Sequence, residues 1–117
     1  MVLITGGFAS GKRTFARSLG YADADIADAV LDERRAICHV EQLVACSEDS
    51  IEELAERLAD KELVICREMG CGPVPARSDD RELREKVGRL NAALAARATC
   101  VVRMVCGIPV VLKGDMA

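Results

Sequence analysis

Residues 6–12 read GGFASGK, and their types and spacing are those of a phosphate cradle. Gly6, Gly11 and Lys12 satisfy G-x-x-x-x-G-K, in which glycines let successive backbone N–H groups turn inward around phosphate oxygens. A helix opening at Lys12 adds the positive end of its dipole, and the lysine ammonium neutralises the outer phosphates. Gly6, Gly7, Ser10, Gly11, Lys12, Arg13 and Thr14 are therefore the candidate contacts for nucleotide phosphates. One position departs from the pattern. Arg13 stands where such loops carry the Ser or Thr hydroxyl that ligates Mg²⁺, and a guanidinium has no lone pair to offer a cation. Thr14 lies about 100° further round the helix, and Ser10 lies inside the loop, so these are the nearest substitute hydroxyls. Arg13 itself either adds charge beside the phosphates or faces solvent.

Handling a metal also requires a carboxylate. The run LVIC at 63–66 predicts a buried strand, and Glu68 just past it falls where ligand crevices open in α/β sheets. Glu68 is thus the preferred group to hold Mg²⁺ or orient a hydroxyl, displaced by one place because Arg67 occupies the strand end. A surface ion pair is the plainer role for the same residue. Asp28, with Asp25 nearby, is the alternative carboxylate. His39 is the single histidine and the one imidazole that could act as a nucleophile. Such a group needs a partner to fix its tautomer and phosphate binders beside it. The flanking sequence ICHVEQL supplies neither, which favours a structural place at the start of a helix.

The elements that must position these groups alternate between strand and helix. Val2 to Thr5 is a short apolar run entering the glycine pair, hence a buried strand. A helix is predicted from Lys12 to about Leu19, with Phe15, Ala16 and Leu19 on one side and Gly20 ending it. YADADIADAVLDERRA reads as strand or loop, then turn or helix. Val40 to Cys46 predicts a short helix. A clearer one follows, in which Ser50 and Glu53 make a capping box and Ile51, Leu54, Ala55 and Leu58 recur at helical spacing. Beyond LVIC comes a Gly/Pro loop, REMGCGPVPARSDD. Asp79 with Glu82 then caps a long helix to Ala98, whose apolar face is Leu83, Val87, Leu90 and Leu94. Two β-rich runs, CVVRMVC and IPVVLK, meet at Gly107 and run into Gly114; they pair as a hairpin or bend apart, and Pro109 points to an edge strand. The pattern predicts an α/β fold, a single nucleotide-binding domain over 1–117 of the P-loop, RecA-like kind, with a mostly parallel sheet flanked by helices and a C-terminal hairpin or edge strands.

Composition narrows the partners. The chain has 117 residues, of which 50% are hydrophobic and 30% charged, with a net charge of −3. No global field attracts nucleic acid or an anionic membrane. With no Trp, one Tyr and two Phe, a base-stacking platform has almost nothing to be built from. No apolar run is long enough to span a bilayer, and the start lacks a signal-peptide pattern, so a cytoplasmic protein without nucleic-acid or membrane partners is expected. Of six cysteines none forms C-x-x-C, and Cys66, Cys100 and Cys106 sit in Val/Ile-rich runs. Buried reduced thiols are expected, since zinc would require Cys66 and Cys71 to meet Cys100 and Cys106 at unusual spacings.

The distal half carries a more specific signature. REMGCGPVPARSDDRELREKVGRLNAALAARATCVVRMVCGIPVVLKG presents Glu68, Gly70, Gly72, Val74 and Pro75, then Gly88, Arg89, Asn91 and Leu94, then Gly107. This order resembles the adenosylcobinamide kinase / adenosylcobinamide-phosphate guanylyltransferase family, whose start also matches the opening TGGxxSGK. The resemblance implies a P-loop α/β domain of cobalamin biosynthesis that phosphorylates the adenosylcobinamide hydroxyl with ATP or GTP and Mg²⁺. It implies, further, transfer of GMP to that phosphate through a guanylylated histidine, a nucleotide and a corrinoid as small-molecule partners, and assembly as a homo-oligomer. On this basis Asp28, Gly70, Arg89 and Asn91 are substrate-side candidates, and Lys12, Glu68 and His39 catalytic ones. The family's H-R-x-x-R-P segment around its histidine is absent, and Arg67 replaces the usual Asn or Asp. The chain looks like a compact form whose kinase frame is better kept than its guanylyltransferase centre. A nucleotide-binding protein of the same fold without turnover is the competing expectation.

Overall fold

The computed structural model describes residues 1–7, 9–69 and 78–115, residues 78–80 through their backbone only. Gly70, Gly72, Val74 and Pro75 therefore lie outside the described residues, as do Phe8 and Cys71. The elements run β1 (Val2–Gly6), α1 (Lys12–Ser18), a 3₁₀ turn (Asp23–Asp25), β2 (Ile26–Asp28), β3 (Ala36–Cys38), α2 (Val40–Cys46) and α3 (Ile51–Ala59). They continue with β4 (Leu63–Arg67), α4 (Ser78–Arg97), β5 (Cys100–Val105) and β6 (Ile108–Lys113). This is the expected α/β architecture of P-loop-like proteins. One six-stranded sheet has the order β2-β3-β4-β1-β5-β6, parallel except for β6.

Alternation along the strands assigns each residue to a face. On one face Leu3, Ala27, Ile37, Val64, Cys66 and Val101 are buried with Val40 and Val44 of α2, Leu54 and Leu58 of α3, and Val87, Leu90 and Leu94 of α4. On the other, Ile4, Ile26, Ala36, Cys38, Ile65, Val102 and Met104 share a smaller cluster with Ala16 of α1. Each fully buried Leu, Ile or Val contributes about 1.5–3 kcal/mol, so these two layers hold the sheet flat against its helices. Ser50 caps α3 as expected, its hydroxyl accepting the Glu53 N–H at 3.2 Å. α4 begins one residue before the expected cap at Asp79 and ends at Arg97.

Three expectations change. Leu19 does not join the helical face: α1 stops at Ser18, and Leu19 is its exposed C-terminal cap. The acidic stretch after Tyr21 resolves into a 3₁₀ turn and β2, and the segment up to Arg35 is an irregular link, not a helix. The missed strand β3 has only three residues, too few for any periodicity to show. Its link to β2 is pinned from outside the segment, where the Lys61 ammonium donates to the carbonyls of Asp32 and Arg34. Finally, Cys106 is not buried. It occupies the hairpin turn with Gly107, at φ 52° and 78°, the pair of positive angles that a two-residue type I′ turn requires. β5 and β6 therefore pair as a hairpin, with Pro109 on an edge strand whose six residues are all exposed.

Candidate phosphate cradle and its cavity

The register of the three central strands brings Gly6, Arg67 and Met104 side by side at their carboxyl ends. The loop after β1 opens there onto α1. Gly11 caps that helix at φ 92°, and Gly6 has φ 152°, both angles that L side chains rarely adopt. Space forbids side chains as well: a Cβ on Gly6 would collide with Ser10 Oγ and lie 2.8 Å from the Met104 carbonyl oxygen. Two backbone bonds tie the loop to its neighbours. Glu68 N–H donates to Gly6 O at 2.8 Å, and Gly107 N–H to Ser10 O at 3.0 Å. The hairpin turn thus braces the cradle, a role for Gly107 beyond separating two strands.

Lys12 curls into this loop. Its ammonium donates to Gly7 O at 2.6 Å and to Ser10 Oγ at 3.5 Å. Burial pushes its pKa below the ordinary lysine value, while the Glu41 carboxylate pulls the other way. A cavity of about 600 Å³ lies alongside, lined by the loop from Ala9 to Thr14, by Cys38, His39, Glu41 and Gln42, and by Arg67 and Met69. Arg13 and Thr14 both reach this wall. Arg13 Nε is buried without a hydrogen-bond partner among the described residues and stands 3.5 Å from the Asp23 carboxylate. Arg13 therefore faces the cavity side as well as an acidic neighbour.

The expected carboxylates sit differently. Glu68 accepts from Thr5 Oγ1 at 3.3 Å and is paired with Arg103 Nε at 3.1 Å, an ion pair reaching across to β5. It braces the strand ends and is not among the residues lining the cavity. Glu41 is, and sequence reasoning missed it. It is buried at the first turn of α2, accepts the Arg67 N–H at 3.2 Å through Oε1, and acts electrostatically on Lys12. A carboxylate in the first turn of a helix that opens on Val40 and continues through Leu43 and Val44 was the available signal.

His39 does have the partner its flanking sequence lacks. Asp28 Oδ1 lies 2.6 Å from His39 Nδ1, because β2 and β3 pair in parallel with Asp28 opposite Cys38. His39 follows at φ 54°, a left-handed conformation that turns the chain from β3 into α2. Cys38 Sγ is 3.5 Å from the same nitrogen, and burial pushes that thiol's pKa up. Of the remaining substrate-side candidates, Arg89 lies on the exposed side of α4, away from the cavity lining. Asn91 bears on Cys66 of β4, whose pKa burial pushes up and the Asn91 amide pulls back down, and its Oδ1 is buried without a partner among the described residues. Gly70 lies outside the described residues.

No helix among the described residues is long and apolar enough to cross a membrane. No curated protein matches the chain. The profile of the family described as cobinamide kinase / cobinamide phosphate guanyltransferase matches residues 24–112, from the turn before β2 to the end of β6, and takes in Glu41, Glu68, Asn91 and Gly107. The cradle itself precedes the matched range, so its reading stands on its geometry. With three-quarters of its length inside that profile, the chain belongs to the cobinamide kinase / cobinamide phosphate guanyltransferase family, nucleotide-using transferases of cobalamin biosynthesis.

Proposed function

We propose that the chain is a kinase that phosphorylates the hydroxyl of adenosylcobinamide from ATP or GTP bound on the Gly6–Lys12 cradle. The observation that carries this reading is the Lys12 ammonium folded onto Gly7 O beside a cavity that also holds a buried carboxylate, Glu41. Phosphate oxygens replace the loop carbonyl as the ammonium's partner, and backbone N–H donors of the glycine-rich loop would share in holding their charge. The acceptor oxygen forms its bond to the γ-phosphorus as the bond to the β–γ bridging oxygen breaks and the hydroxyl proton passes to solvent, so positioning and charge neutralisation carry the step. Mg²⁺, when bound, offsets phosphate charge. Glu41 is the residue that fits it, because a carboxylate facing the cradle completes a shell otherwise made of phosphate and water oxygens. Glu68 is engaged by Arg103 and Thr5, and its role is to hold the strand ends under the loop. Thr14 and Ser10 are the hydroxyl-bearing residues that line the same cavity.

A second activity is favoured by one observation, the 2.6 Å contact between Asp28 and His39. A carboxylate on Nδ1 leaves Nε2 as the nucleophilic nitrogen. In guanylyl transfer that nitrogen bonds the α-phosphorus of GTP, pyrophosphate leaves, and the GMP group passes to the cobinamide phosphate. The exposed apolar side chains of β6, among them Ile108 and Leu112, support assembly into a homo-oligomer.

Incubation with adenosylcobinamide, Mg²⁺ and ATP or GTP tests the kinase, beside Lys12→Ala and Glu41→Gln. Product that both variants lose supports the assignment. Stabilisation by nucleotide without product, from either donor, overturns it in favour of a binding protein. A GMP adduct that survives His39→Ala overturns the second activity.

A further inference from the structure

We propose that Asp28, Cys38 and His39 form a binding site for a borderline-soft divalent cation, Zn²⁺ or Co²⁺, at the carboxyl ends of β2 and β3. The donor atoms Oδ1, Sγ and Nδ1 lie within 4.8 Å of one another. Around tetrahedral zinc, bonds of about 2.3 Å to sulfur and about 2.0–2.1 Å to nitrogen or oxygen set ligand–ligand edges of roughly 3.3–3.6 Å. The three edges of the triangle are 2.6, 3.5 and 4.0 Å, so sub-ångström side-chain shifts bring the atoms onto one tetrahedral face. Backbone already fixes the arrangement. Asp28 and Cys38 are register partners, and Ala29 N–H donates to Cys38 O at 2.9 Å. His39 follows in a left-handed conformation that a residue with a Cβ adopts at a cost.

The donor set selects the ion. A thiolate and an imidazole with one carboxylate suit Zn²⁺ or Co²⁺ and are poor ligands for Mg²⁺, which demands oxygen and an octahedral shell. The site is thus distinct in chemistry from the Glu41 side of the cavity. Three protein ligands leave a fourth position for water or a ligand atom, and Cys38 and His39 both line the cavity. Metal on Nδ1 takes the place of the Asp28 hydrogen bond, so a loaded site and the Asp28–His39 pair exclude each other.

The test uses the full chain with Cys46, Cys71 and Cys106 changed to Ser, without nucleotide, titrated with Co²⁺. One equivalent is expected to bind with a thiolate-to-cobalt charge-transfer band that Zn²⁺ displaces. Cys38→Ser should abolish the band, and Asp28→Asn and His39→Gln should each weaken binding by at least about tenfold. Asp28 and His39 are exposed, so those two variants remain folded even if Cys38→Ser does not. X-ray absorption on the zinc-loaded parent should give one sulfur and two or three nitrogen or oxygen neighbours. An all-nitrogen-and-oxygen shell, or binding unchanged by Asp28→Asn and His39→Gln, overturns the site.

Discussion

Alanine at Gly11 and alanine at Gly88 should move stability in opposite directions, and the difference tests how the cradle is held. At Gly11, φ 92° places alanine in the left-handed region at a cost of about 1–2 kcal/mol. The new Cβ would also stand 3.3 Å from Gly107 Cα. That neighbour is backbone, tied by its own N–H to Ser10 O, so no rotamer change relieves the contact and the hairpin turn must shift. Together these amount to about 2 kcal/mol. At Gly88, in the interior of α4, a Cβ meets nothing within 4 Å, and replacing glycine in a helix gains about 0.8–1 kcal/mol. Unfolding entropy of about 2.1 cal/mol/K per residue makes 1 kcal/mol worth about 4 °C for a chain of this length. Gly11→Ala should lower the melting temperature by roughly 8 °C and Gly88→Ala raise it by about 3–4 °C.

The assay is thermal unfolding with and without Mg²⁺–nucleotide. At a nucleotide concentration about a hundred times Kd, the parent gains about 2.7 kcal/mol. Gly88→Ala should keep that gain, because α4 meets the cavity only through Leu83 among its described side chains. Gly11→Ala should lose most of it, because the displaced turn loosens its hold on Ser10 O and shifts the neighbouring loop N–H donors away from the phosphates. If Gly11→Ala melts with the parent and keeps the full nucleotide gain, the left-handed cap and its brace do not hold the cradle, and the reasoning fails.

Two further outcomes follow from side chains already described. Lys12→Met should unfold at higher urea than the parent in the absence of nucleotide, since burial holds the Lys12 pKa below 10.5 and the charged form therefore costs stability at neutral pH. That cost is complete below the folded-state pKa and vanishes as pH rises through it toward 10.5, so the two proteins should converge on the alkaline side; an unchanged gap there would refute the assignment. Ile108→Asp, on the exposed edge strand, should reduce an oligomer to a monomer in light scattering without loss of helical signal, and an unchanged mass would remove β6 from the interface.

The cradle could be read from the sequence because its chemistry is local: Gly6, Gly11 and Lys12 lie within seven consecutive residues, and strand, loop and helix follow in order. The long helix was readable for the same reason, through the spacing of Val87, Leu90 and Leu94, whereas the breaker at Gly107 marked the junction of two β runs and left open whether they pair or bend apart. What faces the cradle was not readable. Glu41 stands beside Lys12, and Asp28 beside His39, only because β3 lies between β2 and β4 in the sheet, and a three-residue strand leaves no periodic trace. Glu68 lies outside the cavity lining for a related reason: it is paired with Arg103, on a strand two places away.

Sheet order also explains how a signature confined to residues 24–112 bears on a loop that precedes it. β1 is the fourth strand in space, flanked by β4 and β5, so both of its neighbours come from the matched segment. Gly6 O receives the Glu68 N–H from one side, and Ser10 O receives the Gly107 N–H from the other. Gly6 and Gly11 lack side chains where Met104 O and Gly107 Cα approach. The cradle's shape is therefore set by residues of the family signature as much as by its own glycines. A substitution at Gly107, far outside the G-x-x-x-x-G-K pattern, should disturb phosphate binding as a change at Gly11 does.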